Sequence, residues 1–255
     1  VLAIGRTTYG WFDTDIYNLI MPLCIFSATS AAFKSWAPRN LIFFVISGIL
    51  VGVYSALWSI WWLFFYIIIA GMLLAALDSI LFDAQRSFLS KLKVWGFSLG
   101  LFVFVSYLSV VIISGFKTVG ASFSEPFLYL SLRKGVSLDN FWPNLSFSIS
   151  ELKKPDIFGI LVILGGPVVF FGALIGQLST YTVRKENFAT LQRKFMSFLL
   201  FLWFLIALFL TNFGSRFIFF LIIPIGLHFG ALLDLGAYIM DKVRFLNEKA
   251  RFALF

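Results

Sequence analysis

Asp13 and Asp15 are the residues of this chain best placed to do chemistry. They stand two apart in Trp11-Phe12-Asp13-Thr14-Asp15, at the mouth of an apolar run that begins with Ile16. In an extended segment residues i and i+2 project to the same side, so both carboxylates can aim at one point. Convergent carboxylates at the lip of a membrane make a site for a hard divalent cation. The same residues also suit a helix start, since Asp and Thr ahead of a helix satisfy its free N–H groups and complement its dipole. Spacing alone leaves both readings open.

The elements that must hold these groups are set by composition. Of 255 residues, 60% are hydrophobic and only 13% charged, and the mean hydropathy is +0.96. A water-soluble domain of this length carries about a quarter charged residues, so this chain is solvated mainly by lipid. Apolar segments of spanning character are predicted at Ile16–Phe33, Leu41–Leu57, Ile60–Leu77, Val94–Gly115, Ile157–Leu178, Phe195–Asn212 and Phe217–Met240. Trp58, Trp61 and Trp62 mark the turn between the second and third, because tryptophan favours the membrane interface. The single cysteine, Cys24, excludes an intrachain disulfide and reads as a small packing residue. Val1 is not a start methionine and no targeting pattern follows it, so the chain reads as the interior of a longer polypeptide.

Seven spans put the two ends on opposite faces. Lys34 and Arg39, then Arg86, Lys91 and Lys93, then Arg184, Lys185, Arg193 and Lys194, and finally Lys242, Arg244, Lys249 and Arg251 fall in loops or a tail on one face. The positive-inside rule makes that face cytoplasmic. This bias accounts for the net charge of +8, so no nucleic-acid partner is needed. Asp13 and Asp15, the long segment Phe116–Asp156 and the turn Gly214–Arg216 then face outside. A loop of this length is functional or disordered as a rule, and its aromatics near Phe141–Ile149 argue against disorder throughout. It ends in Ser148-Ile149-Ser150-Glu151, a pattern that also reads as a helix cap.

In their order, these motifs resemble the catalytic subunit of oligosaccharyltransferase, the membrane enzyme of asparagine-linked glycosylation, and most of all its archaeal branch. Gly10-Trp11-Phe12-Asp13-Thr14-Asp15, with Arg6 upstream, matches the family's acidic external motif. Ser148-Ile149-Ser150-Glu151, preceded by Trp142-Pro143-Asn144, matches a Ser-Val-Ser-Glu-type motif. Arg216-Phe217 matches an Arg-Phe pair at the start of a later span. The resemblance covers nearly the whole chain. It implies an all-α fold: a polytopic transmembrane helical bundle, type-C glycosyltransferase-like, with residues 116–156 as a long external loop. Residues 1–255 would be part of the transmembrane catalytic domain. A first acidic loop would lie before Val1, and a soluble domain with a Trp-Trp-Asp-Tyr-Gly motif after Phe255. Four spans separate the Asp13 motif from the long loop where relatives commonly have six.

The implied reaction moves an oligosaccharide from a polyprenyl (dolichyl) phosphate or pyrophosphate carrier to the asparagine of Asn-x-Ser/Thr. The amide nitrogen is a poor nucleophile and the leaving group concentrates negative charge, so a Lewis acid and orienting carboxylates are needed. Asp13 and Asp15 fit as ligands of Mg²⁺ or Mn²⁺. Glu151, flanked by Ser148 and Ser150, fits as acceptor for the substrate amide N–H groups. Arg216 fits as a two-point clamp on phosphate oxygens, and Arg6 supports the same donor site by holding an Asp carboxylate. Either arginine could instead snorkel towards headgroups. The partners implied are a lipid-linked donor, a sequon-bearing polypeptide and membrane lipid, with accessory subunits an open matter.

Other features carry other readings. His228 lies mid-span and reads as a hydrogen-bonded packing residue. Asp234 reads as a buried functional carboxylate or an interfacial partner of Lys242. Gly48–Gly52, Gly96–Gly100, Gly172–Gly176 and Gly226–Gly230 have the small-xxx-small spacing of close helix packing. Asn144-Leu145-Ser146 is itself a glycosylation sequon. Pro167 and Pro224 interrupt spans, as in a transporter or lipid flippase, but such a protein would place ionisable groups near the midplane. A non-catalytic scaffold and another lipid-linked-sugar glycosyltransferase are the remaining alternatives.

Overall fold

The computed structural model describes residues 15–33, 40–82, 87–131, 156–182, 189–211 and 215–253. All regular structure among them is helical: α1 (Asp15–Ala32), α2 (Leu41–Leu57), α3 (Trp61–Phe82), α4 (Phe88–Ser114), α5 (Phe116–Ser131), α6 (Ile157–Ile163), α7 (Pro167–Thr182), α8 (Ala189–Leu210), a 3₁₀ segment Ser215–Leu221, and α9 (Ile222–Ala253). An apolar chain that cannot lean on water must satisfy its backbone internally, and helices do so within each segment. Three helices are long and apolar enough to cross a membrane, Trp61–Phe82, Phe88–Ser114 and Ile218–Met240. Tyr17–Ala32, Leu41–Leu57, Pro167–Leu178 and Lys194–Leu210 are shorter apolar helices. Each predicted apolar segment thus coincides with helix.

Three features depart from expectation. The segment Ile157–Leu178 is not one span: Gly165 (φ 97°) and Gly166 (φ 91°) lie in the left-handed region and end α6. Pro167 then opens α7, a first-turn position where its missing N–H costs nothing. The expected loop from Phe116 begins instead as α5. Gly115, at φ 87°, caps α4 by donating its N–H to the carbonyls of Val110 and Val111, and the chain turns into a new helix. Finally, α9 runs well past Met240, to Ala253.

Two tight seams hold the bundle. On α2, a Cβ at Gly52 would lie 2.5 Å from the Ser109 Cβ of α4, and one at Gly48 would lie 2.7 Å from Val105 Cγ1. On α7, a Cβ at Gly172 would meet the Phe229 ring at 2.8 Å, and one at Gly176 would strike the carbonyl oxygen of His228 on α9. These two glycine pairs do what their spacing predicts. Gly96–Gly100 and Gly226–Gly230 do not, for among the described residues a Cβ on any of the four meets nothing within 4 Å. Between the seams, Trp203 of α8 sits edge-on to Phe26 of α1 (5.3 Å) and Phe64 of α3 (5.1 Å), tying three helices together. Thr29 and Ser47 share a 2.5 Å hydrogen bond across α1 and α2, and Thr29 also donates to the Ile25 carbonyl.

Several single-residue expectations change as well. Cys24 is exposed on α1 and does not pack. Lys91 is not a solvated loop residue: α4 starts at Phe88, and the lysine is buried on its first turn. His228 is buried, yet its Nε2 has no hydrogen-bond partner among the described residues. Asp234 is exposed rather than buried.

Candidate functional site

α1 opens at Asp15, so the second residue of the Asp13–Asp15 pair stands on the first turn of a helix, a position whose dipole favours an acidic residue. Three residues on, Asn18 is buried and its Oδ1 accepts from the Tyr54 hydroxyl of α2 at 3.4 Å. Tyr54 packs on Trp58 (ring centroids 5.8 Å), which continues the chain just past α2. Trp58 in turn stacks on Phe220 at 5.6 Å and 30°. Phe220 belongs to the 3₁₀ segment that carries Arg216 one turn earlier. This relay of neutral contacts fastens the start of α1, the end of α2 and the 3₁₀ segment together, so the elements bearing Asp15 and Arg216 share one end of the bundle.

α5 docks near the same end. The Trp62 indole N–H donates to Glu125 Oε2 at 2.7 Å, and the Tyr66 hydroxyl donates to the Ser122 carbonyl at 3.3 Å. Ser55 of α2 and Ser114 of α4 share a hydrogen bond of 2.7 Å just inside it. The sequence motifs gave no notice of Glu125 or Trp62 as partners. The one signal available was a carboxylate beside a proline in a stretch otherwise read as loop.

The opposite end is built differently. Lys194 of α8 forms a 2.7 Å ion pair with Asp78 of α3, and Asp78 is buried. Phe33 packs against Phe44, Trp95 and Phe195 at 4.6–5.3 Å beneath it. Sequence reading placed Lys194 in a loop and passed over Asp78. A lone carboxylate near the end of an otherwise uncharged apolar helix was the signal for it.

Arg6, Asp13, Ser148, Ser150 and Glu151 lie outside the described residues, as do the side chains of Asp15 and Arg216. Among the described residues no group of three or more His, Cys, Asp or Glu could hold a metal ion. The carboxylate pair expected to suit Mg²⁺ or Mn²⁺, Asp13 and Asp15, falls outside that set.

The family described as "Oligosaccharyl transferase STT3, N-terminal" matches residues 4–253. This chain belongs to it. Among curated relatives, the dolichyl-phosphooligosaccharide-protein glycotransferase of Methanocaldococcus jannaschii is 23% identical over 221 residues, covering 84% of this chain and 23% of that protein. Its namesake from Methanococcus voltae is 25% identical over 254 residues, covering 88% of this chain and 28% of the relative. The chain therefore spans about a quarter of the length of these relatives. Among solved structures, the archaeal oligosaccharyltransferase AglB from Archaeoglobus fulgidus, in complex with an inhibitory peptide and a dolichol-phosphate, superposes with a TM-score of 0.57 at 17% identity. The match covers 96% of this chain and 35% of AglB. The apo form of the Archaeoglobus enzyme gives the same TM-score at 16% identity. The all-α transmembrane architecture expected for this family is the one observed, and with three spanning-length helices the chain is part of an integral membrane protein.

Proposed function

We propose that the whole protein is an oligosaccharyltransferase that moves an oligosaccharide from a polyprenyl (dolichyl) phosphate or pyrophosphate carrier to the asparagine of Asn-x-Ser/Thr sequons, with a divalent metal ion. The observation that carries this reading is the relay Asn18–Tyr54–Trp58–Phe220, which draws the elements bearing Asp15 and Arg216 to one end of a bundle of this family. The names of the Methanocaldococcus and Methanococcus relatives support a dolichyl-linked donor, and the AglB complex with peptide and dolichol-phosphate supports a lipid donor paired with a peptide acceptor.

In this reading Asp13 and Asp15 hold Mg²⁺ or Mn²⁺. Bound there, the ion supplies positive charge for the departing phosphates. Arg216 grips phosphate oxygens with its planar fork, a geometry lysine lacks, and Arg6 steadies one of the acidic groups. Glu151 accepts the amide N–H groups of the acceptor asparagine, with Ser148 and Ser150 beside it to meet the peptide. The basic residues on the opposite loops assign the Asp15 end to the extracytoplasmic or lumenal face.

The deciding experiment uses the complete protein with a lipid-linked oligosaccharide and two peptides, one carrying Asn-x-Thr and one carrying Gln-x-Thr. Glycan should appear on the first only, and chelation should abolish it. Transfer to a lipid or sugar acceptor instead of the peptide would mark a different lipid-linked glycosyltransferase. Movement of the donor across vesicles without transfer would mark a flippase.

A further inference from the structure

α5 turns its carboxylate towards the protein, beside the inward-packed Val119, and its exposed phenylalanines away from it. Its inward face supplies Ser122, whose carbonyl accepts from Tyr66, and Glu125, whose carboxylate accepts from the Trp62 indole. Its outward face carries Phe116, Phe123 and Phe127, 78%, 56% and 74% exposed, with Gly120 open between them. Spacings of four, three and four residues align these four positions along one stripe of the helix. A helix docked on a soluble protein turns its aromatics inward and its carboxylate outward. The reverse pattern is stable only where the outward solvent is itself apolar.

Three details agree. Ser124, also exposed, points its hydroxyl back to the Gly120 and Ala121 carbonyls at 3.5 and 3.4 Å, as a hydroxyl does where water is scarce. The stripe begins just after the spanning helix α4, whose Ile112, before the turn at Gly115, is exposed as well. Phe123 stacks on Tyr107 at 5.8 Å, and Tyr107 lies seven residues, roughly 10 Å, inside the end of α4. That depth falls within the outer part of a bilayer. With 16 residues, Lys117, Glu125 and an internal Pro126, α5 is not itself a span.

We propose that α5 is a lipid-facing helix at the membrane interface: Phe116, Phe123 and Phe127 enter the lipid, Lys117 reaches the headgroups, and the Trp62–Glu125 hydrogen bond holds the other face to the bundle. This stands independently of the catalytic reading. Its effect is to fix the level, relative to the bilayer, from which the chain departs towards Ser148–Glu151.

The test places single cysteines at Phe123 or Phe127 in the full-length protein, with Cys24 and any other native cysteine changed to serine, and labels them with an environment-sensitive NBD fluorophore in phosphatidylcholine nanodiscs. Ile112→Cys, 73% exposed on α4, serves as the lipid-facing control. Phosphatidylcholine brominated on its acyl chains should quench the label at Phe123 and Phe127 by a fraction comparable to Ile112, and aqueous iodide should not. Since Phe123 also stacks on Tyr107, Phe127 gives the readout free of that contact. Quenching by iodide alone would place the stripe in water, and quenching by neither would place it beneath protein. Either result, with Ile112 quenched by bromolipid, overturns the proposal.

Discussion

At the Asp15 end α1, α2, α4 and the 3₁₀ segment meet through neutral groups, Asn18 with Tyr54, Trp58 with Phe220 and Ser55 with Ser114, and α5 adds a hydrogen bond from the Trp62 indole to Glu125. At the Lys194 end they meet through charge, with the Asp78–Lys194 pair joining α3 to α8 over the Phe33–Trp95–Phe195 cluster. The difference has a physical consequence. An ion pair with a buried carboxylate tolerates few arrangements, so it suits a fixed joint. Aromatic stacking and neutral hydrogen bonds keep elements adjacent without using charge, as the proposed roles of Asp13, Asp15 and Arg216 require. The two ends should therefore fail differently when mutated, one in turnover and the other in stability.

The largest effect is expected from Asp13→Ala with Asp15→Ala in the complete protein. Loss of the proposed metal-holding groups should cut glycan transfer by about 10²–10³-fold, the range seen when electrostatic stabilisation of a transition state is removed. Thermal stability should change little. The helix-cap reading makes the opposite forecast, a loss of about 1 kcal/mol of stability with turnover nearly intact. Measuring both quantities on one preparation separates them, and a destabilised but active double variant would dissolve the contrast drawn between the ends.

How much of this was legible beforehand varied with the kind of signal. Hydropathy located every apolar helix, because lipid leaves the backbone no alternative. It missed the break at Gly165–Gly166, since glycine is apolar enough not to interrupt the pattern even when its φ is positive. It missed α5 because Lys117, Glu125 and Pro126 look like loop, and the helix's inverted polarity appears only once its neighbours are in place. Glycine spacing forecast two of four tight seams, for spacing says which face is smooth but not what lies against it. The order of the motifs pointed to the family that the match over residues 4–253 bears out, while Arg6, Asp13, Ser148, Ser150 and Glu151 lie outside the described residues. What the fold adds is the meeting of α1 and the 3₁₀ segment, which depends on Tyr54 and Trp58, residues that no motif flags.

A smaller effect is expected at the opposite end. Lys194→Met removes the cation facing a buried carboxylate and should destabilise the protein by about 2 kcal/mol, below the full cost of breaking a buried pair because Lys194 is partly exposed. Asp78→Asn combined with Lys194→Met should recover part of that loss, and the double-mutant cycle gives the coupling directly. Turnover per folded molecule should stay close to wild type in all three variants. A large turnover defect with stability unchanged would mean that the Lys194 end takes part in the reaction.

The smallest effect tests whether the neutral relay positions anything. Tyr54→Phe keeps the ring that packs on Trp58 and Phe64 and deletes only the hydroxyl that donates to Asn18. At 3.4 Å that hydrogen bond is long, so its loss should cost about 1 kcal/mol or less, part of it from leaving the buried Asn18 carbonyl without its donor. Because Asn18 lies one turn from Asp15, the change should loosen the start of α1 more than it weakens the bundle. The apparent metal affinity in the transfer assay should fall a few-fold, recoverable at higher Mg²⁺ or Mn²⁺, with the maximal rate retained. Lys194→Met serves as the comparison, since it destabilises more yet should leave metal dependence untouched. If Tyr54→Phe and Lys194→Met alter metal dependence equally, the Asn18–Tyr54 contact is packing alone and the start of α1 is positioned by something other than this relay.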